Sequence, residues 1–219
     1  QNSLRSPNNI IKRINLTSED EILFGPSCLH NSKIEEVYLK GKNIIDSGIG
    51  LSYVSSLGKL TVETEGNFTI QPTSFLSSIV HKISINCEKS VQISPVSFKE
   101  TPDLTDLTII AKEEIKFGDS AFKDSNINNL ILHANSVNFD LDAFRNTKNL
   151  HHFEVHAIGN IGFELTSFAD SKVNEIDLYT DEDVIFKKSS FKNCANLESL
   201  VIHSSSGITW ARCIFWFTN

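Results

Sequence analysis

Apolar positions along the chain fall into a three-part pattern that keeps returning. The first part is a Leu-x-x-Leu-x-Leu run, clearest at Ile127/Leu130/Leu132, Leu150/Phe153/Val155, Val173/Ile176/Leu178 and Leu197/Leu200/Ile202. Earlier counterparts are Ile34/Val37/Leu39, Leu57/Leu60/Val62, Val80/Ile83/Ile85 and Leu104/Leu107/Ile109, with a weaker first copy at Ile11/Ile14/Leu16. The second part is an apolar pair: Ile22/Phe24, Val91/Ile93, Ile115/Phe117, Val137/Phe139, Ile161/Phe163, Val184/Phe186 and Ile208/Trp210. The third is a single anchor at Cys28, Leu51, Phe75, Phe98, Phe122, Phe144, Phe168, Phe191 and Phe215. Successive anchors are 23, 24, 23, 24, 22, 24, 23 and 24 residues apart, and Ser or Ala precedes most of them.

Three short apolar segments in so few residues cannot close a core alone. Each copy must stack on its neighbours, so that all copies share one elongated interior. Alternation in Leu-x-Leu predicts a short strand with one face inward. Stacked strands predict a parallel sheet, one strand per copy, with the phenylalanine file filling the interior from the opposite side. Small residues before each anchor let successive turns approach closely. The expected architecture is mainly β: one right-handed solenoid of about nine coils of 22–24 residues, with a concave parallel β-sheet and irregular or short helical turns on the convex side.

The wording of the copies resembles a known family. "SSFKNCANLESLVI" (Ser189–Ile202) and "SAFKDSNINNLIL" (Ser120–Leu132) are similar to the AFxxCxxLxxIxL phrase of the BspA-like, Treponema-type leucine-rich repeat, matched at Phe191, Cys194, Leu197, Leu200 and Ile202. The resemblance spans about residues 11–215. It departs at Cys28 and Leu51, where the phenylalanine is missing, and in the glycine-rich "DSGIGLSYVSSL" (Asp46–Leu57). The Asn usual after the strand in leucine-rich repeats is mostly replaced. The resemblance implies a non-catalytic surface protein that binds matrix proteins or other cells, hence an extracellular or cell-surface location. An intracellular scaffold or regulatory interaction domain is the alternative.

Composition trims the field. A net charge of −7 with scattered Lys and Arg argues against a nucleic-acid partner. No apolar run approaches the roughly 18 residues of a membrane helix, so no membrane insertion is expected within this segment. The chain starts at Gln1 without a visible leader and reads as a mature form or an excised fragment. Four cysteines (Cys28, Cys87, Cys194 and Cys213) form no C-x-x-C pair and read as free thiols, with one bridge or a reactive thiol as the other readings. Phosphate-loop, dinucleotide, His-Glu-x-x-His and Gly-x-Ser-x-Gly motifs are missing, and no cofactor is expected.

Candidate binding residues come from the strand alternation. In Leu-x-x-Leu-x-Leu-x the third, fifth and seventh positions point outward. The third column reads Arg13, Glu36, Lys59, Lys82, Asp106, Asn129, His152, Glu175, Ser199; the fifth Asn15, Tyr38, Thr61, Ser84, Thr108, Ile131, Glu154, Asp177, Val201. The seventh reads Thr17, Lys40, Glu63, Asn86, Ile110, His133, His156, Tyr179, His203. Six of the seven histidines fall in strand segments, and three share a column with Tyr179. A protein partner on this face would meet Tyr38, Ile131, His133, His152, Glu154, His156, Asp177, Tyr179 and His203. A solvated polar face is the bland reading. A zinc site on His133 and His156 is the third, although it lacks an evident third ligand. Adjacent imidazoles repel when charged, so binding through the column is expected to change between about pH 5 and 7.

The termini differ from the repeats. Residues 1–9 form a short polar segment, and residues 208–219 read as an aromatic cap, a truncated coil or a self-association surface through Trp216 and Phe217. Two Asn-x-Ser/Thr sequons occur, at Asn15, on the outward face of the first copy, and at Asn67, in a turn.

Overall fold

The computed structural model describes residues 11–25, 28–29, 32–46 and 54–215. Each coil contributes one longer and one shorter strand: β1 (Arg13–Thr17) and β2 (Glu21–Phe24), β3 (Lys33–Gly41) and β4 (Asn43–Asp46), β5 (Ser56–Thr64) and β6 (Phe68–Ile70). The sequence continues with β7 (Val80–Cys87) and β8 (Val91–Ile93), β9 (Asp106–Ala111) and β10 (Glu114–Phe117), β11 (Asn129–Ala134) and β12 (Ser136–Phe139). It closes with β13 (His152–Ala157) and β14 (Ile161–Phe163), β15 (Glu175–Thr180) and β16 (Val184–Phe186), β17 (Ser199–Ser204) and β18 (Ile208–Trp210). The odd-numbered strands form a nine-stranded parallel sheet in chain order, so coils one to nine are joined by eight complete turns.

The expected inward rows are in register. Ile109, Leu132, Val155, Leu178 and Ile202 lie opposite one another from strand to strand, as do Leu107, Leu130, Phe153, Ile176 and Leu200. The double x of Leu-x-x-Leu would put the first and fourth positions on opposite faces of a plain strand. A repeated bulge resolves this: the Asn128 carbonyl accepts the N–H groups of both His151 (2.9 Å) and His152 (3.2 Å). Asn174 does the same for Glu198 and Ser199. Two residues thereby face outward in succession while Leu150 and Phe153 stay buried. The approach is tightest at Gly58, where a Cβ would sit 2.4 Å from the Glu35 carbonyl oxygen.

The apolar pairs form more than turns. The even-numbered strands from β6 to β18 make a second, seven-stranded parallel sheet, and β2 pairs with β4 separately. Of the irregular or short helical turns expected on this side, the irregular ones carry the anchors, but no helix occurs among the described residues and the second sheet was not foreseen. The reason is that Ile115/Phe117 and their equivalents also alternate inward and outward, and each coil offers its backbone to the next at strand spacing. Phe68/Ile70 belongs to this set too, a copy the sequence pattern passed over.

The third wall carries the anchors. Phe75, Phe98, Phe122, Phe144, Phe168 and Phe191 are fully buried and stack in a file with ring centroids 4.9 to 5.3 Å apart. A parallel file runs through Phe117, Phe139, Phe163, Phe186 and Trp210. From Phe75 to Phe168 each anchor N–H donates to the carbonyl of the small residue in the next coil, as from Phe122 to Ala143 at 2.7 Å, and Phe191 donates to Ile214 at 3.0 Å. Two residues on either side of each described phenylalanine from Phe75 to Phe191 the backbone turns left-handed, for example at Ser120 (φ 55°) and Asp124 (φ 60°). Asp and Asn tolerate this conformation best, and they hold all four second positions in coils five to eight: Asp124, Asn146, Asp170 and Asn193. Val96 (φ 52°) is the misfit, because a β-branched residue there costs roughly 1–2 kcal/mol. Val96→Asn is expected to raise the unfolding free energy by about 1 kcal/mol, read as a higher urea midpoint.

One continuous hydrophobic core runs from Ile22 to Ile214. The aromatic file starts at Phe75. The Cys28 anchor is only half-buried, and Leu51 lies outside the described residues. At the far end Trp210 and Phe215 continue the two files but are 45% and 49% exposed, and Trp216 and Phe217 lie outside the described residues. Cys87, Cys194 and Cys213 carry free thiols, with Cys87 and Cys194 buried. Burial pushes the Cys194 thiol up to about 11, and its Sγ donates to the Phe168 carbonyl at 2.8 Å.

Candidate binding face

The outward columns of the nine-stranded sheet emerge in the expected register, residue for residue. They divide into two halves of different chemistry. In coils one to five, acidic and basic residues in neighbouring strands neutralise one another. Arg13 pairs with Glu36 at 2.9 Å, Lys40 with Glu63 at 3.2 Å and Lys82 with Asp106 at 3.0 Å. Such exposed pairs add little stability, but they leave this half of the face close to neutral, with Lys59 the one column charge left over.

From coil six onward the columns contain no Lys or Arg. Here the rings of His133, His156, Tyr179 and His203 stack as a ladder, with centroids 4.8, 4.6 and 5.1 Å apart and planes within 13° of parallel. The seventh position of each strand sets this ladder up, since parallel in-register strands place equivalent side chains about 4.8 Å apart. Ile110, 44% exposed, continues the same column on the His133 side. In coil seven, Glu154 sits between His152 and His156 along one strand. Its two oxygens meet their Nε2 atoms at 2.9 and 2.5 Å.

These contacts tune the charges. The hydrogen bonds from His152 and His156 hold the Glu154 carboxyl below its ordinary range. Partial burial, helped by the neighbouring His156, lowers the His133 imidazole from its usual value. Glu175 lies 3.8 Å from the Nδ1 atom of His152, and Asp177 has no hydrogen bond or ion pair among the described residues. An open depression of about 410 Å³ borders the ladder, lined in part by His156, Tyr179, Asp181 and His203. A second of about 420 Å³, at the other end of the sheet, includes Lys40, Glu63, Glu65 and Glu88.

The solenoid thus brings eight of the nine expected residues together: Ile131, His133, His152, Glu154, His156, Asp177, Tyr179 and His203. Tyr38 stands apart, on β3, four strands or about 19 Å from Ile131, within reach of Glu63. Ile158, 64% exposed just beyond β13, and Asp181 were missed because they follow the strand pattern's last position. Stacked face to face, His133 and His156 do not converge their nitrogens on one point, and no group of three ligand-type side chains among the described residues is placed to hold a metal ion.

A model of the BspA type leucine rich repeat region matches residues 91–215 in six copies, more than half the chain. The chain belongs to this family. No curated protein and no solved structure matches it. The BspA-type match covers the phenylalanine file from Phe98 onward, and the ring ladder lies wholly inside it. Leucine-rich-repeat solenoids of this kind are protein-interaction scaffolds, and no helix among the described residues is long and apolar enough to cross a membrane.

Proposed function

We propose that the chain is a non-catalytic recognition module displayed at a cell surface, binding a protein through coils six to nine of its nine-stranded sheet. The observation that carries this reading is the change of chemistry halfway along the face. One half pairs nearly all its charges, and the other presents stacked rings, exposed aliphatic side chains and unpaired carboxylates. Aromatic and amphipathic residues of this kind dominate binding energy at protein interfaces. Nine strands give a face about 38 Å wide, suited to a macromolecule rather than a small molecule. The surface location follows the habit of BspA-type repeats.

One observation favours an intracellular scaffold instead: Cys87, Cys194 and Cys213 are unbridged, the state kept in reducing compartments. Labelling intact cells with a membrane-impermeant reagent separates the two, since only a surface module is tagged. For the face itself, the chain is screened against immobilised matrix and cell-surface proteins by interferometry. Tyr179→Arg is expected to weaken a confirmed interaction at least about tenfold. Gln92→Arg, on the outer column of the seven-stranded sheet, leaves it within about twofold. The opposite pattern overturns the assignment of the face.

A further inference from the structure

The two halves of the sheet treat their carboxylates differently. Glu36, Glu63 and Asp106 each have a lysine or arginine across the strand gap. Glu154, Glu175 and Asp177 have none. Glu154 is saturated by two histidines, yet Asp177 lies directly opposite it on the next strand, and Glu175 is two residues away on the same strand as Asp177. Like charges placed opposite one another in neighbouring strands repel. A positive charge between them would relieve that repulsion. A metal ion is a poor candidate, because both Glu154 oxygens are engaged and no three-ligand group exists among the described residues. A guanidinium or ammonium group needs only one or two outward-facing oxygens.

Building on the proposed recognition role, we infer that the segment seated on coils seven and eight is a lysine- or arginine-bearing stretch of the partner protein. Its charged heads meet Asp177 and Glu175, and its methylene stems lie along Tyr179 and Ile158. Long cationic side chains bury their stems on apolar surface while the head stays at its partner.

The ladder makes this capture sensitive to pH. His133 faces Ile110 and His156, with Glu154 diagonal to it. His156 faces Glu154 and Tyr179; His152 faces Asn129, Glu154 and Glu175; and His203 faces Tyr179, with Asp181 bordering the depression. None of these neighbours is a lysine or arginine, so protonating the four histidines cancels the negative charge of Glu154, Glu175, Asp177 and Asp181. A cationic segment is then no longer attracted. Because partial burial and the neighbouring His156 make His133 resist protonation, release completes only below the ordinary histidine range.

The test uses fluorescein-labelled peptides of alternating Arg-Ser and alternating Glu-Ser, read by anisotropy at about 50 mM salt to limit screening. The Arg-Ser peptide is expected to bind at least about tenfold tighter than Glu-Ser at about pH 7.5. That preference disappears in Glu175→Gln/Asp177→Asn and at about pH 5.5, but survives in the control Glu36→Gln/Glu63→Gln. Equal binding of the two peptides, or an unchanged Glu175→Gln/Asp177→Asn variant, overturns the inference. If a protein partner is lost on Tyr179→Arg yet indifferent to neutralising Glu175 and Asp177, the cationic assignment fails while the binding face stands. If Tyr179→Arg has no effect, the face itself is wrong.

Discussion

Phe144→Ala is expected to lower the unfolding free energy by about 3–5 kcal/mol, read as a fall in the urea midpoint followed by circular dichroism. Phe144 is fully buried at the middle of the anchor file. Its ring stacks on Phe122 at 5.2 Å and Phe168 at 5.0 Å, and tilts or turns edge-on to Phe117, Phe139 and Phe153 between 5.3 and 6.0 Å. Removing it empties a space bounded by all three walls, which cannot collapse because each wall is pinned to the neighbouring coils by backbone hydrogen bonds. Stability in a stacked array is carried largely by nearest-neighbour interfaces. The loss should therefore weaken the coupling between the two halves as well, broadening the transition. Phe215→Ala is the comparison: the same residue type in the same file, but 49% exposed, with an expected loss of about 1 kcal/mol. Equal losses at the two positions would contradict a shared interior.

Much of this was legible because the repeat converts sequence position into spatial position. Once Phe122, Phe144 and Phe168 mark equivalent points, the strand alternation decides which side of the sheet His133, Glu154 and Tyr179 occupy, and neighbouring copies decide who lies opposite whom. What stayed hidden depends on contacts the pattern does not encode. A pair such as Val137/Phe139 is too short to announce a strand; it becomes one because Ile115/Phe117 and Ile161/Phe163 supply backbone partners on both sides. The left-handed corners at Asp124 and Asn146 carry a recognisable residue preference, but Ser77 and Glu100 occupy the same place in earlier coils, so the signal is diluted. Alternate residues of "HHFEVHA" share a face, which was the available sign that Glu154 touches both His152 and His156. That Asp177 is left unpaired follows from where every nearby side chain points, and only the folded chain shows that.

Adjacent residues on β11 give the sharpest test of the face on which the functional argument depends. Leu132→Asn is expected to cost about 4 kcal/mol or more, since it combines a lost buried leucine with an amide left without partners. Leu132 is fully buried in the row between Ile109 and Val155. Ile131→Asn, one residue earlier, is expected to change stability by no more than about 0.5–1 kcal/mol, because Ile131 is half-exposed between Thr108 and Glu154. A one-residue slip of register would exchange the two outcomes, since it turns every side chain to the other face. The contrast therefore bears on the ladder as well: if Ile131 proved the costly position, His133 would point inward and the carboxylates of coils seven and eight could not meet a partner. With the expected order, Ile131→Asn remains folded, and any loss of partner binding it causes is attributable to the surface rather than to the core beneath it.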